Sequence, residues 1–323
     1  MKHFQPATGL RNAHLQTILP RLIRRQALFE PLTERIQTPD DDFLDLVWTA
    51  PPEQHPAHMP IMILFHGLEG SFQSPYAHSL LFAARQQGWL GVMMHFRGCS
   101  GEINRQARSY HSGETSDARF FIRQLRERFP HHPLLAVGVS LGGNMLVNYL
   151  AETGTASGLT AAQIISPPLD LSACSSRIEQ GFSRVYQRYL LGSMKKNMLK
   201  KMAALPELLP FQAEQINGIA SLRQFDDTVT APLHGFSDAA DYYQRCSGLG
   251  KLAQVQTPLR VIHAADDPFM TEAVIPTQPL PSHIDYHLTR YGGHVGFISG
   301  SWREPQFWLD HTVPAWFRKK LEG

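Results

Sequence analysis

The stretch Pro133-Leu134-Leu135-Ala136-Val137-Gly138-Val139-Ser140-Leu141-Gly142-Gly143-Asn144-Met145 decides the fold. An apolar run that reads as a buried strand ends in Gly-x-Ser-x-Gly and passes at once into helix-forming residues, Met145 to Glu152. A serine in so sharp a turn sits in a strained backbone conformation, so its neighbours two residues away on either side must lack bulk. Gly138 and Gly142 meet that demand. The turn lifts the Ser140 hydroxyl clear of the sheet and marks it as a candidate nucleophile. It also leaves the Leu141 N–H in the first turn of a helix, where unpaired donors and the positive end of the dipole can hold a developing oxyanion.

Upstream, Ile36 to Ala50 reads as an opening hairpin, and the apolar run Ile61 to Phe65 as a central strand feeding the loop His66-Gly67-Leu68-Glu69-Gly70. Ser74-Pro75 starts a helix through Gln87, and Leu90 to Phe96 is another buried strand. Ser116 caps a helix through Phe129. Downstream, the strand Ala161 to Ser166 stops at Pro167-Pro168. This alternation predicts an α/β fold over 1–323: a mostly parallel central sheet flanked by helices, its functional groups at the strands' C-terminal edge.

From 169 to 252 the rhythm breaks. Gly181 to Ala204, rich in Tyr, Leu, Met, Lys and Arg, predicts helices with one apolar and one basic face, and the segment reads as an inserted helical cap. Strands resume with Pro258 to Ala264 and Ile284 to Thr289, and a helix is expected over Pro305 to Leu321.

Two further candidates lie just past strands that follow Ser140. Asp267 comes after one strand and His294 sits in a glycine loop, Tyr291-Gly292-Gly293-His294-Val295-Gly296, after the next. A serine hydroxyl is a weak nucleophile, so it needs an imidazole to take its proton, and the imidazole needs a carboxylate to fix its tautomer. Asp266 is the rival carboxylate; Asp267 is preferred because Pro268 favours an extended residue at the turn that must point the acid back. The second oxyanion donor is expected from the Leu68 N–H, with His66 fixing that loop. Arg97-Gly98 and Tyr110 to Gly113 read as loop scaffolding, and Cys99 lacks a paired base that would make its thiol a nucleophile.

Composition sets the outer bounds. With 43% hydrophobic residues, 18% charged and a net charge of +2, nothing draws the chain toward nucleic acid. Three scattered cysteines, Cys99, Cys174 and Cys246, suit a reducing compartment, and no Cys/His cluster calls for a metal. The first residues lack the blocks of a signal peptide and no run is long enough to span a bilayer, so a cytoplasmic protein without a cofactor is expected. Leu10 to Arg25 mixes Leu, Ile and Arg; interrupted by Pro20, it is expected to pack on the core rather than lie on a membrane surface.

With these residues in hand the sequence resembles the YheT-like esterase subfamily of the α/β-hydrolases, related to the yeast medium-chain fatty-acid ethyl ester synthase/esterases. The resemblance runs nearly the full length: Leu10-Arg11-Asn12-Ala13-His14-Leu15-Gln16-Thr17, His66 to Gly70, Phe96 to Gly101, Gly138 to Gly142, Phe225-Asp226-Asp227-Thr228-Val229-Thr230-Ala231, Ala265 to Pro268 and Gly292-Gly293-His294. It implies an α/β-hydrolase core with a helical cap, a Ser140, Asp267, His294 triad and esterase activity. The expected substrate is a short- to medium-chain acyl ester, since no arginine pair is evidently dedicated to a carboxylate or phosphate. Acyl transfer, thioester hydrolysis and a non-catalytic binding module are the competing readings.

Overall fold

Leu32–Gln37 (β1) and Phe43–Trp48 (β2) form an antiparallel hairpin, with Ile36 opposite Leu44 and Glu34 opposite Leu46. In the computed structural model, which describes residues 4–301 and 303–322, this hairpin is the antiparallel edge of an eight-stranded sheet. Ile61–Phe65 (β3), Leu90–Met94 (β4), Leu134–Val139 (β5), Ala161–Ile165 (β6), Leu259–Ala264 (β7) and Ile284–Thr289 (β8) complete it in the order β1-β2-β4-β3-β5-β6-β7-β8. From β4 to β8 every pairing is parallel. Strands β3 to β7 are buried at every residue, as nearly continuous apolar runs require when both faces are covered, with Gln163, Arg260 and His263 as buried polar exceptions in β6 and β7.

The period-two alternation of the strands divides the core. Ile61, Ile63 and Phe65 face Ser116–Arg128 (α3) and Leu141–Thr153 (α4), whereas Met62 and Leu64 face Pro75–Arg85 (α2) and Trp308–Glu322, which is α11 below. Thr115, not Ser116, occupies the cap position of α3; Ser116 is already helical, and its N–H is taken by Glu114 at 2.8 Å.

Between β6 and β7 the chain is helical: Leu171–Ile178 (α5), Ser183–Ala204 (α6), Ala213–Gly218 (α7), Leu222–Phe225 (α8), a π-helical turn Asp226–Thr230, Ala231–His234 (α9) and Ala239–Cys246 (α10). This layer has a small core of its own, including Leu191, Met198, Ile216 and Phe225. Helix α6 does not separate into an apolar and a basic face as expected. Lys201 is buried, its ammonium held by the Ala107 and Arg108 carbonyls at 2.8 Å each and by Ser109 Oγ at 2.9 Å, while Phe182, Val185 and Tyr189 are about half exposed.

The end of the chain differs from expectation too. Pro305–Phe307 (β10) pairs with Ile298–Gly300 (β9) in a two-stranded ribbon, and α11 begins only at Trp308. Proline lacks the donor a helix or an inner strand would need, so it sits at this ribbon's outer end. Near the N-terminus, Ala13–Ile23 (α1) is capped by the Asn12 side chain and continues through Pro20 rather than ending there, with Gln16 and Pro20 facing inward.

Candidate active site

Ser140 occupies the turn between β5 and α4 at φ 52°, ψ −119°, a region that β-carbon sterics make costly and that only surrounding structure can hold. The two neighbouring glycines are required by contact. A Cβ on Gly138 would lie 2.5 Å from the Gly142 carbonyl oxygen, and one on Gly142 would meet the Phe65 and His66 carbonyls at 2.5 Å each. The elbow is therefore wedged against the end of β3, which brings the loop 66–70 beside the serine.

His294 Nε2 lies 3.0 Å from Ser140 Oγ, and its Nδ1 lies 2.9 Å from Asp267 Oδ2. The other Asp267 oxygen accepts the Phe269 N–H at 2.9 Å, so the buried carboxylate is oriented from both sides. The neighbouring acid faces elsewhere, since Asp266 Oδ1 accepts the Gly293 N–H at 2.9 Å and so holds the histidine loop. The two adjacent carboxylates divide between the imidazole and the backbone that carries it.

That loop is strained, with Val295 and Phe297 at φ 63° and 45°. For a β-branched residue such as Val295 this is an outlier that must be held from outside. The hold comes from α1. Thr17 Oγ accepts the His294 backbone N–H at 2.9 Å, and Gln16 is threaded between Leu10 and Ile298, donating to both carbonyls and accepting the Ile298 N–H at 2.7 Å. Pro20 leaves the Gln16 carbonyl without its helical donor, and Gly296 closes on that oxygen; a Cβ there would lie 2.0 Å away. A Cβ on Gly293 would lie 2.4 Å from the Ala13 carbonyl. The residue types in Ala13 to Thr17 pointed to no such role; only the resemblance marked that segment as part of a pattern.

A second unanticipated support is aromatic. Phe269 stacks on the His294 ring at 4.1 Å between centroids, and Tyr186 of α6 stacks on Phe269 at 4.9 Å. The Tyr186 hydroxyl pairs with His14 Nδ1 at 3.0 Å, joining the helical layer, α1 and the imidazole in one column.

In the loop after β3, the N–H groups of Gly67, Glu69 and Gly70 are taken by the Tyr76 hydroxyl, the Tyr110 hydroxyl and the Gly67 carbonyl. Leu68 N–H donates to nothing among the described residues, and Leu141 N–H opens α4, where no intrahelical acceptor exists. Both residues line the cavity that holds Ser140 and His294. His66 is buried with its charged form disfavoured, its pKa pushed down to about 3; its ring braces the loop between the Gly67 carbonyl at 2.8 Å and the Phe96 N–H at 3.0 Å. Burial raises the Cys99 thiol, which disqualifies it as a thiolate.

The cavity measures about 480 Å³ and is walled by apolar side chains from sheet and helical layer, among them Leu80, Leu171, Ile178, Leu190 and Met270. At its far side the π-turn presents Asp226, which accepts from the Tyr243 and Thr230 hydroxyls at 2.7 Å each and is pushed up to about 6 by burial. Arg97, expected to be scaffolding, is a buried guanidinium shared by Asp40, Asp42 and Asp117 at 2.6–2.9 Å, away from Ser140. Among the described residues no three His, Cys, Asp or Glu side chains converge as metal ligands would.

Comparison with known proteins agrees with this architecture. A family model described as alpha/beta hydrolase fold matches residues 60–301. The Escherichia coli (strain K12) protein named "Putative esterase YheT" is 52% identical over 321 residues, covering 99% of this chain and 94% of that one. The Saccharomyces cerevisiae medium-chain fatty acid ethyl ester synthase/esterase 2 is 29% identical over 288 residues, 81% of this chain and 62% of its own. Among solved structures, the Pyrococcus furiosus esterase Pf2001 superposes with a TM-score of 0.55 over 100% of this chain and 96% of its own, at 14% identity, a likeness of fold alone. The matched family model spanning β3 to β9, and the identity across nearly the whole chain, establish that the protein belongs to the α/β-hydrolase family.

Proposed function

We propose that the protein is a serine carboxylesterase acting on short- to medium-chain acyl esters. The observation that carries this reading is the continuous hydrogen-bonded line from Ser140 Oγ through His294 to Asp267, with contacts of 3.0 and 2.9 Å. His294 Nε2 takes the hydroxyl proton as Ser140 attacks the ester carbonyl, and Asp267 stabilises the imidazolium at Nδ1. The oxyanion is received by the Leu68 and Leu141 N–H groups; one such donor is worth roughly a hundredfold or more in rate. His294 then returns the proton to the departing alcohol, and the acyl-enzyme is resolved by water through the same relay.

The apolar cavity favours an uncharged acyl chain, and the helical layer 169–252 acts as the cap above it. The relatives' names, an esterase and an ester synthase/esterase, are consistent with acyl-enzyme chemistry. The yeast relative's name supports one second reading, transfer of the acyl group to an alcohol.

The test is burst kinetics with p-nitrophenyl esters of increasing acyl length on the wild type and Ser140→Ala. A stoichiometric burst and turnover that vanish in the variant are expected, with the preferred length sizing the cavity. Unchanged activity in Ser140→Ala overturns the mechanism. Ethyl ester formed in ethanol, in place of free acid, favours the transfer reading.

A further inference from the structure

The mouth of the cavity is framed by two helices whose outward faces are apolar and basic. Thr17, Ile18 and Arg21 of α1, with Val185, Tyr186 and Tyr189 of α6, line the same cavity as Ser140 and His294. The helices are joined across it: Arg21 donates to the Tyr189 hydroxyl at 2.6 Å, and the His14 ring lies 4.5 Å from that of Phe182. Along and beside this seam, apolar side chains on both helices stand about half in solvent. Leu15 and Leu22 are 45% and 52% exposed, seven residues apart and so on one face of α1. Phe182, Val185 and Tyr189, at 50%, 51% and 59%, form the matching stripe at the start of α6. More than half of the large apolar side chains that stand exposed among the described residues belong to these two segments.

Charge is biased the same way. Residues 10–28 and 181–204 together carry ten of the 30 Lys and Arg and none of the 28 Asp and Glu, although Lys201 is buried and Arg24 is paired with Asp310. Arg11, Arg25, Arg184 and Arg188 are exposed and make no ion pair among the described residues. An apolar rim flanked by unneutralised arginines, on a protein whose net charge is only +2, complements a surface that is apolar beneath and anionic on top. We infer that the α1–α6 face docks on an anionic phospholipid bilayer with the cavity mouth turned to the membrane. Leu15, Leu22, Phe182 and Val185 enter the headgroup region while Arg11, Arg25, Arg184 and Arg188 lie against phosphates, so an ester resident in the bilayer reaches the cavity without crossing water. No helix among the described residues is long and apolar enough to cross a membrane, so the attachment is peripheral and reversible. Helix α1 thus packs on the core by its Gln16 and Pro20 side, as expected, and meets the membrane by the other.

The inference is tested by binding, independently of esterase activity. The full chain is sedimented with phosphatidylcholine vesicles with and without phosphatidylglycerol, at low and high salt, as wild type and as Ser140→Ala. Both are expected to pellet with the anionic vesicles, at least tenfold more than with neutral ones, and to be released by salt. Leu15→Glu combined with Leu22→Glu abolishes pelleting while leaving turnover of a water-soluble p-nitrophenyl ester and the thermal midpoint near wild type. Arg25→Glu combined with Arg188→Glu lowers the anionic preference by about fivefold or more per reversed residue. No pelleting, equal pelleting with neutral vesicles, or a dimer that the leucine substitutions dissolve in a chain that ignores vesicles, each overturns the proposal. Pelleting of a Ser140→Ala chain inactive on esters supports it whatever the esterase reading becomes.

Discussion

Thr17 accepts the backbone N–H of His294 at 2.9 Å across 277 residues of sequence. The hydroxyl also donates to the Ala13 carbonyl at 2.8 Å, so it is fixed by its own helix before it fixes the loop. Thr17→Val keeps the volume and strands the His294 N–H. We expect kcat on a soluble ester to fall roughly tenfold with KM nearly unchanged, because a small displacement of the imidazole costs rate more than binding. Thr17→Ser should restore it; a kcat equal to wild type in the valine variant would show that the bond does not position the base.

The adjacent carboxylates should separate cleanly. Asp267→Asn presents an amide to His294 Nδ1 and favours the wrong tautomer, so kcat should drop by roughly three to four orders of magnitude. Asp266→Asn keeps an oxygen for the Gly293 N–H, and its loss should stay within about tenfold. The kcat ratio of the two variants decides which acid serves the imidazole; a reversed order assigns it to Asp266.

Arg97 makes a stability prediction unrelated to the reaction. Its guanidinium grips Asp117 with two hydrogen bonds of 2.8 Å and Asp42 with one of 2.6 Å, all deep in the structure. Arg97→Met leaves buried carboxylates uncompensated, and urea unfolding should show a loss of roughly 3–5 kcal/mol. A loss below about 1 kcal/mol would mean that Arg108, which also reaches Asp117, carries the network.

Four buried histidines set the acid limit. Burial pushes His66 and His111 down to about 3 and His78 and His263 to about 4. Folded, they stay neutral where the unfolded chain takes up protons. Their contribution to stability is therefore complete above about pH 6.5 and lost as the pH falls toward 4. Near pH 5 these four histidines take up protons on unfolding while Asp226, raised to about 6 by burial, releases roughly one, a net slope of roughly 4 kcal/mol per pH unit, measurable by urea titrations at successive pH values. A slope under one proton would contradict neutral burial.

Most of the sheet was legible because its strands are largely apolar on both faces and run into loops that open with glycine or proline within two residues, as after β3 and β6. The Ser140 elbow and the Ser, Asp, His order were readable for the same reason, since each lies just past a strand. The supports of His294 were not. Thr17 and Gln16 sit on an ordinary amphipathic helix, and nothing local says that its partner lies far along the chain. Phe269 and Tyr186 meet only after the helical layer folds over the sheet. Lys201 resembles the solvated lysines beside it, and only the carbonyls of residues 107 and 108 make its burial tolerable. The ribbon at 305–307 escapes a reading by period because three residues hold none.

The bond between α1 and the histidine loop has a consequence for how the site comes into being. A growing chain can complete β5, α4 and the strained serine while residues 260–298 are still unmade, yet at that stage the helix that braces the base has nothing to brace. On the proposed mechanism the Ser140 hydroxyl acquires its base only when the loop carrying His294 joins the fold and closes on α1. A nascent or truncated chain should therefore fold much of its sheet without acquiring reactivity toward fluorophosphonate probes, and labelling of Ser140 would report completion of the chain.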